Sequence, residues 1–376
     1  MSLRILLLEN IHPKAASRLE SESYSVTCLA HSPPPQELSS LLRNFDILGI
    51  RSKTEIGSEV LSANPHLLAI GAFCIGTNQI HLAQATSLGI PIFNAPHSNT
   101  RSVAELIISE IVALSRQLFD RSRRAHEGEW QKDASGSREV RGKTLGIVGY
   151  GHIGSQVSVL AEALGMKVRF FDVLRKLPLG NAQPRSSLKD LLMESDFVTL
   201  HVPETPETRL LIGARELALF KPGSFLLNAS RGSVVDLEAL KVCLDSGQIK
   251  GAAIDVFPQE PASNKEKFTS PLQHARNVIL TPHIGGSTEE AQYMIGQEVA
   301  ESFVQFLQTG RSLGAVNFPQ VDLPRRPGTR RILNVHRNEP GVLGEINSVV
   351  SSFGANIVSQ NLGTFADVGY LVFDFE

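Results

Sequence analysis

The stretch "LGIVGYGHIGSQ", residues 145–156, sets an apolar run against Gly149, Gly151 and Gly154 in the spacing G-x-G-x-x-G. Alone the pattern is weak, because glycines also end strands and close turns. Its surroundings strengthen it. "TLGIV" reads as a strand and "SQVSVLAEALG" as the helix after it, so the first glycine can make the turn, the second can admit a pyrophosphate, and the third can let the helix pack closely. A helix that begins there offers unpaired N–H groups to an anion. The next strand, "MKVRFFD", ends at Asp172. A carboxylate at that place can accept hydrogen bonds from the adenosine ribose of NAD and would repel the 2′-phosphate of NADP.

A loop of this kind so deep in the chain implies that something substantial is built before it. Residues 4–98 alternate the apolar runs RILLL, YSVTCL, DILGI, HLLAIGAFC and IPIFN with stretches of helical spacing, which predicts a parallel sheet with crossover helices. "NTRSVAELIISEIVALSRQLFDRSRRAHEG" then reads as one long helix capped by Asn99 or Thr100. From Lys143 to Gly285 strands and helices alternate again, with runs ending at DFVTLHV, SFLLNAS, GAAIDVF and NVILTPH. The pattern is that of a doubly wound α/β domain. A helix over "STEEAQYMIGQEVAESFVQFLQTG" can return the chain to the first domain. "FPQVDLPRRPGTR" reads as a linker, and strand, helix, strand, strand follow it. The expected boundaries are 1–98 with 286–326 for one domain, 99–285 for the cofactor domain, and 327–376 for a small third domain.

At 376 residues, two or three cores are expected, since single cores rarely grow past roughly 250–300 residues. A formal charge of -2 gives no broad attraction to nucleic acid or to an anionic membrane. No run approaches the roughly 20 apolar residues of a membrane span, and the N-terminus "MSLRILLLENIHP" reads as a first strand rather than a signal peptide. Cys28, Cys74 and Cys243 form no C-x-x-C pair and read as reduced core residues of a cytoplasmic protein. No metal is called for.

Three residues stand in loops after strands of the cofactor domain, at the sheet edge where such folds bind their ligands. They are Arg231 in "NASRGSVVD", Glu260 in "DVFPQEP" and His283 in "LTPHIGGS". Arg231 can grip a carboxylate in two-pronged fashion. His283 has a pKa suited to reversible proton transfer, and Glu260 can orient its ring. Together they are the set that an oxidoreductase acting on a hydroxy acid needs.

These segments, with "VGYGHIG", "GAFCIGTNQ" and "FNAPHSNTRSVAE", resemble the D-isomer-specific 2-hydroxyacid dehydrogenases, and among them the branch that acts on phosphoglycerate. The resemblance runs along nearly the whole chain and explains the late glycine loop. In that family a Rossmann-type cofactor domain is inserted into a flavodoxin-like substrate domain. It implies NAD-dependent oxidation of D-3-phosphoglycerate, a small phosphorylated 2-hydroxy acid, to 3-phosphohydroxypyruvate at the head of L-serine biosynthesis. Arg231, Glu260 and His283 are then the catalytic set. Cofactor contacts carry over to Gly149, Gly151, His152, Ile153, Gly154, Asp172, Ala229, Ser230, Arg231, Asp255, His283 and Gly285. Substrate contacts carry over to Arg51, Ser52 and Asn99, with Lys132 reaching a phosphate, in the same or a neighbouring subunit.

The last segment resembles an α+β ACT-type regulatory module, and His336, Asn338 and Asn356 match the family's serine-binding positions. Such a module normally continues with another helix and strand, so it reads as incomplete here and weak or absent serine inhibition is expected. A homodimer or homotetramer is expected too. Other readings are a reductase of glyoxylate, hydroxypyruvate or another 2-oxo acid, and a non-catalytic NADH-sensing protein.

Overall fold

Five short apolar runs become five parallel strands, β1 (Arg4–Leu7), β2 (Ser25–Cys28), β3 (Ile47–Ile50), β4 (Ala69–Ala72) and β5 (Ile92–Asn94). Their spatial order is β2-β1-β3-β4-β5, the flavodoxin-like arrangement, whose direction of winding reverses between β1 and β3. Strands β3 and β4 are buried throughout, whereas β2, at the edge, is largely exposed. The helix Glu289–Thr309 covers one face, and its Val299, Phe303 and Phe306 share a core with Ile5, Leu7, Phe73 and Phe93.

In this computed structural model, which describes residues 2–261 and 265–376, the chain divides into two units, residues 1–98 with 289–376 and residues 99–288. The second unit holds β6 (Thr144–Val148), β7 (Lys167–Phe171), β8 (Gln183–Pro184), β9 (Phe197–Leu200), β10 (Ser224–Asn228), β11 (Ile249–Ile254) and β12 (Val278–Leu280). They form one parallel sheet in the order β12-β11-β10-β9-β6-β7-β8. Winding reverses between β6 and β9, which is where a Rossmann-type sheet opens its ligand crevice. Val103, Ala104, Ile107 and Ile111 of the helix Thr100–Arg116 are buried in the same core as Leu145, Ile147 and Val168.

The single long helix expected from residue 99 onward is corrected by the structure to two, Thr100–Arg116 and Leu118–His126. Gln117 separates them in the left-handed conformation, with φ of 51°. No glycine or proline marks the break, so the sequence carried no signal for it. The second piece buries none of its residues, leaving Leu118 and Phe119 exposed. Cysteines need a correction as well: none of the three is in a disulfide, but Cys28 is exposed and the other two are only half-buried. Among the described residues no helix is long and apolar enough to cross a membrane.

Residues expected to form a third domain do make their own antiparallel sheet, β13 (Arg330–Arg337), β14 (Ile357–Phe365) and β15 (Val368–Phe375), in the order β13-β15-β14. Yet β15 is sunk into the first unit. Val368, Tyr370 and Val372 belong to its core, and the Tyr370 hydroxyl donates to the Gly310 carbonyl at 2.7 Å. Arg331 and Asp374, 5% and 0% exposed, pair at 2.7 Å. The same guanidinium donates to the carbonyls of Thr309 and Leu323, both at 2.7 Å. A paired buried charge with its remaining donors satisfied is tolerated, while removing one partner typically costs about 3–5 kcal/mol.

One buried acid has no such partner. Glu110, on the helix Thr100–Arg116, is 3% exposed, and its Oε1 makes no hydrogen bond. Burial first, then the charge of Asp255, pushes its carboxyl up to about 8. A carboxyl whose folded pKa is raised contributes stability that is complete below its unfolded value and is lost as pH climbs through the folded one. Wild-type stability should therefore fall between pH 5 and pH 8 by on the order of 1 kcal/mol or more per pH unit from this group alone. In Glu110→Gln that part of the slope should vanish. Denaturant unfolding of both proteins at the two pH values checks this, and an equal stability difference at each would contradict it.

Candidate active site

The glycine loop is built by close approach. Gly149 has φ of 89°, and a Cβ on it would lie 2.3 Å from the His201 carbonyl oxygen. A Cβ on Gly154 would lie 2.2 Å from the Gly149 carbonyl oxygen, so the helix His152–Ala163 can start hard against β6 only with glycine there. At Gly151 the added carbon would meet nothing within 4 Å. That open side is where a pyrophosphate can approach the backbone. Gly151 caps the helix with no side-chain hydrogen bond, so N–H groups of the helix's first turn can serve an anion.

Asp172 lies just past β7, and its carboxylate is already partly engaged. Its Oδ2 accepts from the Tyr150 N–H and its Oδ1 from the Leu174 N–H, both at 2.8 Å. It therefore ties the glycine loop to the following turn, a role that spacing could not reveal. The absent Cβ at Gly151, the uncapped helix start and this acid fit a dinucleotide with an unphosphorylated ribose.

Asn228, the last residue of β10, sets the next loop. Its side-chain oxygen accepts from the Ser230 N–H and hydroxyl at 3.0 and 2.7 Å, and its amide donates to the Arg231 carbonyl at 3.0 Å. Ala229 and Ser230 are thereby fixed, and Arg231 follows in extended backbone. A Cβ on Gly232 would fall 2.0 Å from the Phe257 carbonyl carbon. The loop bearing Arg231 and the one leading to Glu260 are thus packed backbone to backbone.

Asp255, one residue past β11, is buried and fully used. Its Oδ1 accepts from the Thr281 hydroxyl at 2.7 Å and the Ile284 N–H at 2.8 Å, and its Oδ2 accepts from the Gly285 N–H at 2.8 Å. Its carbonyl accepts from the His283 N–H at 2.8 Å. His283 is held in left-handed backbone, with φ of 54°. Its Nδ1 meets Glu260 Oε2 at 2.8 Å, while Glu260 Oε1 accepts from the Phe257 N–H at 3.1 Å.

The hydrogen bond to Glu260 raises the His283 pKa above its ordinary value, against the opposing effects of burial and of the Arg231 charge. Burial pushes the Glu260 carboxyl up, but the His283 hydrogen bond, the Phe257 N–H and nearby positive charge, Arg231 included, hold it below the usual range. Arg231, Glu260 and His283 thus form one electrostatic group. Asn99 packs against the backbone three residues past His283: a Cβ on Gly286 would lie 2.2 Å from its Nδ2, and its buried Oδ1 has no hydrogen-bond partner.

Other candidates lie elsewhere. Lys132 is exposed and lines a hollow of about 1030 Å³ with Arg121 and Arg138, none of whose lining residues belongs to the trio. Arg51 and Ser52 follow β3 in the first unit. His336 stacks over Gly369, and Asn338 is tied to the Ala366–Asp367 turn. Asn356 precedes β14 at the other end of that sheet, where both Arg330 and Ile357 pair with Phe375. Within one chain the three are not brought together; roughly 20 Å of strand lies between them.

If the Asp172 carboxylate, just past β7, is the group that meets the adenosine ribose, NADH should bind more tightly than NADPH by about tenfold or more, within the 1–4 kcal/mol expected between close like charges. Asp172→Ala should narrow that gap while also weakening NADH, since two N–H groups lose their acceptor. Fluorescence titration of both nucleotides checks it, and equal affinities in the wild type would contradict it.

The D-isomer specific 2-hydroxyacid dehydrogenase, NAD binding domain, matches residues 108–285. A D-3-phosphoglycerate dehydrogenase of Dictyostelium discoideum is 51% identical over 100% of this chain and 91% of its own length. One of Escherichia coli K12 is likewise 51% identical, with the same coverage of 100% and 91%. Among solved structures, D-lactate dehydrogenase from Aquifex aeolicus, complexed with NAD and lactic acid, matches with a TM-score of 0.73 at 28% identity, over 84% of this chain and 100% of that one. The chain belongs to the D-isomer-specific 2-hydroxyacid dehydrogenase family, in its D-3-phosphoglycerate dehydrogenase branch.

Proposed function

We propose that this protein oxidises D-3-phosphoglycerate to 3-phosphohydroxypyruvate with NAD, the first step of L-serine biosynthesis. The observation that carries the reading is the 2.8 Å contact between His283 Nδ1 and Glu260 Oε2 beside Arg231, in a chain of this family. Bound NAD supplies the hydride acceptor. With Nδ1–H donated to Glu260, the other ring nitrogen of His283 is left free to accept the substrate hydroxyl proton as the carbonyl forms. Glu260 stabilises the imidazolium that results. Arg231 holds the substrate carboxylate and so turns the reacting carbon toward the base.

Arg51 and Ser52 are assigned to the substrate phosphate, and Lys132 to the same group in a homo-oligomer. His336, Asn338 and Asn356 are assigned to L-serine in an ACT-type module. Their separation within one chain favours an effector held between two copies of that sheet. A cytoplasmic location is in keeping with three cysteines that form no disulfide.

Reduction of NAD followed across a panel of 2-hydroxy acids tests the reading. D-3-phosphoglycerate should be preferred; a preference for lactate, glycerate or glycolate would point to a different acid. His283→Ala should lose roughly 100 to 10,000-fold in turnover while NADH binding persists, and near-normal turnover would remove His283 from the mechanism. Oxidation needs the neutral imidazole, and the raised His283 pKa displaces that form toward alkaline pH. The rate should therefore climb with pH through a midpoint above 6.5. Glu260→Gln should move the midpoint to lower pH and reduce turnover; an unmoved midpoint would show that Glu260 does not act on His283.

A further inference from the structure

The first unit contains a buried acid that no part of the mechanism above uses. Glu9 lies beyond β1, at the point where the sheet order reverses between β1 and β3, the place where sheets of this winding bind ligands. Its Oε1 accepts from the Arg51 N–H at 3.1 Å, the Thr54 N–H at 2.8 Å and the Thr54 hydroxyl at 2.5 Å; its Oε2 accepts from the Lys53 N–H at 3.0 Å. The grip on Arg51 is completed by its own Nη1, which donates to the Glu9 carbonyl at 3.4 Å, and by Gln79, whose amide donates to the Arg51 carbonyl at 2.8 Å. Glu9 and Asn10 both have left-handed backbone, with φ of 62° and 51°. Asparagine tolerates that conformation, but glutamate adopts it at a cost, and such strain gathers at binding sites.

We propose that Glu9 is a positioning residue for substrate phosphate recognition. Its carboxylate takes the N–H groups of Arg51, Lys53 and Thr54, so little of the turn's backbone is left to cradle an anion. What the turn presents outward instead is a set of side chains, half-buried Arg51 with exposed Ser52 and Lys53, two cations and a hydroxyl. That donor set suits a phosphate monoester. By fixing the backbone beneath them, Glu9 removes conformational freedom that binding would otherwise have to freeze. The proposal rests on the functional reading above, which assigns Arg51 and Ser52 to the phosphate.

The test is Glu9→Gln in the full chain, where an amide group replaces one acceptor with a donor facing N–H groups. Steady-state kinetics with D-3-phosphoglycerate should show KM raised about tenfold or more, as expected for a lost charged acceptor, with kcat lowered by less than about threefold. An unchanged KM, or a kcat that falls as far as KM rises, would overturn the proposal and leave Glu9 a purely structural group. Should Glu9→Gln fail to fold, Thr54→Val, which deletes one hydroxyl donor to Glu9 and keeps the shape, decides by the same split, with KM raised about threefold. A wild-type protein inactive on D-3-phosphoglycerate would overturn the functional reading and this proposal with it. A wild type that is active beside a variant with unaltered KM would overturn the proposal alone.

Discussion

The arrangement of Glu260 and His283 depends on Asp255. This carboxylate, 1% exposed, collects the Thr281 hydroxyl and the N–H groups of Ile284 and Gly285, while its carbonyl takes that of His283. The four bonds wrap residues 281–285 around the end of β11 and hold His283 in a backbone conformation that histidine seldom adopts. Without them the buried N–H groups would lack acceptors, at about 1–3 kcal/mol each, and the ring would lose its aim at Glu260. A charge so placed also acts on its surroundings: after burial itself, it helps push the Glu110 carboxyl up.

Around that anchor the site is assembled from loops that glycine alone permits to touch. Gly232 admits the Phe257 backbone, which brings the Arg231 loop against the Glu260 loop, and Gly154 admits the Gly149 carbonyl, which brings the helix dipole to the end of β6. Asn228 and Asp172 add acceptors that hold the loop backbones. The Arg231 charge acts on both Glu260 and His283, and those two act on each other, so a change at Arg231 shifts the protonation of the pair.

Much of this was legible in the sequence. The three glycines, the acid after the next strand and the trio of loop residues each lie where spacing placed them, because strand, turn and helix signals are local. What escaped has a common cause. The left-handed Gln117 that splits the long helix bears no residue signature, and Asn228 looked like an ordinary strand end. The docking of β15 into the first unit depends on contacts far apart in sequence. One clue was present: in "VGYLVFDF" Asp374 falls in step with Val368, Tyr370 and Val372, and an acid on an apolar face at period two signals a buried partner, here Arg331. Glu9 gave none, since a carboxylate after a first strand looks solvated until the turn that surrounds it is folded.

The central claim is that His283, held by Glu260, is the group that takes the substrate proton. Nitrogen-resolved NMR titration of the His283 ring, set beside the pH dependence of NADH formation from D-3-phosphoglycerate by the same protein, tests it most directly. The account predicts a ring that is protonated on Nδ1 in its neutral form, with a pKa above 6.5 that coincides with the kinetic midpoint. A ring protonated on the other nitrogen, or a kinetic midpoint independent of the ring's titration, would contradict it.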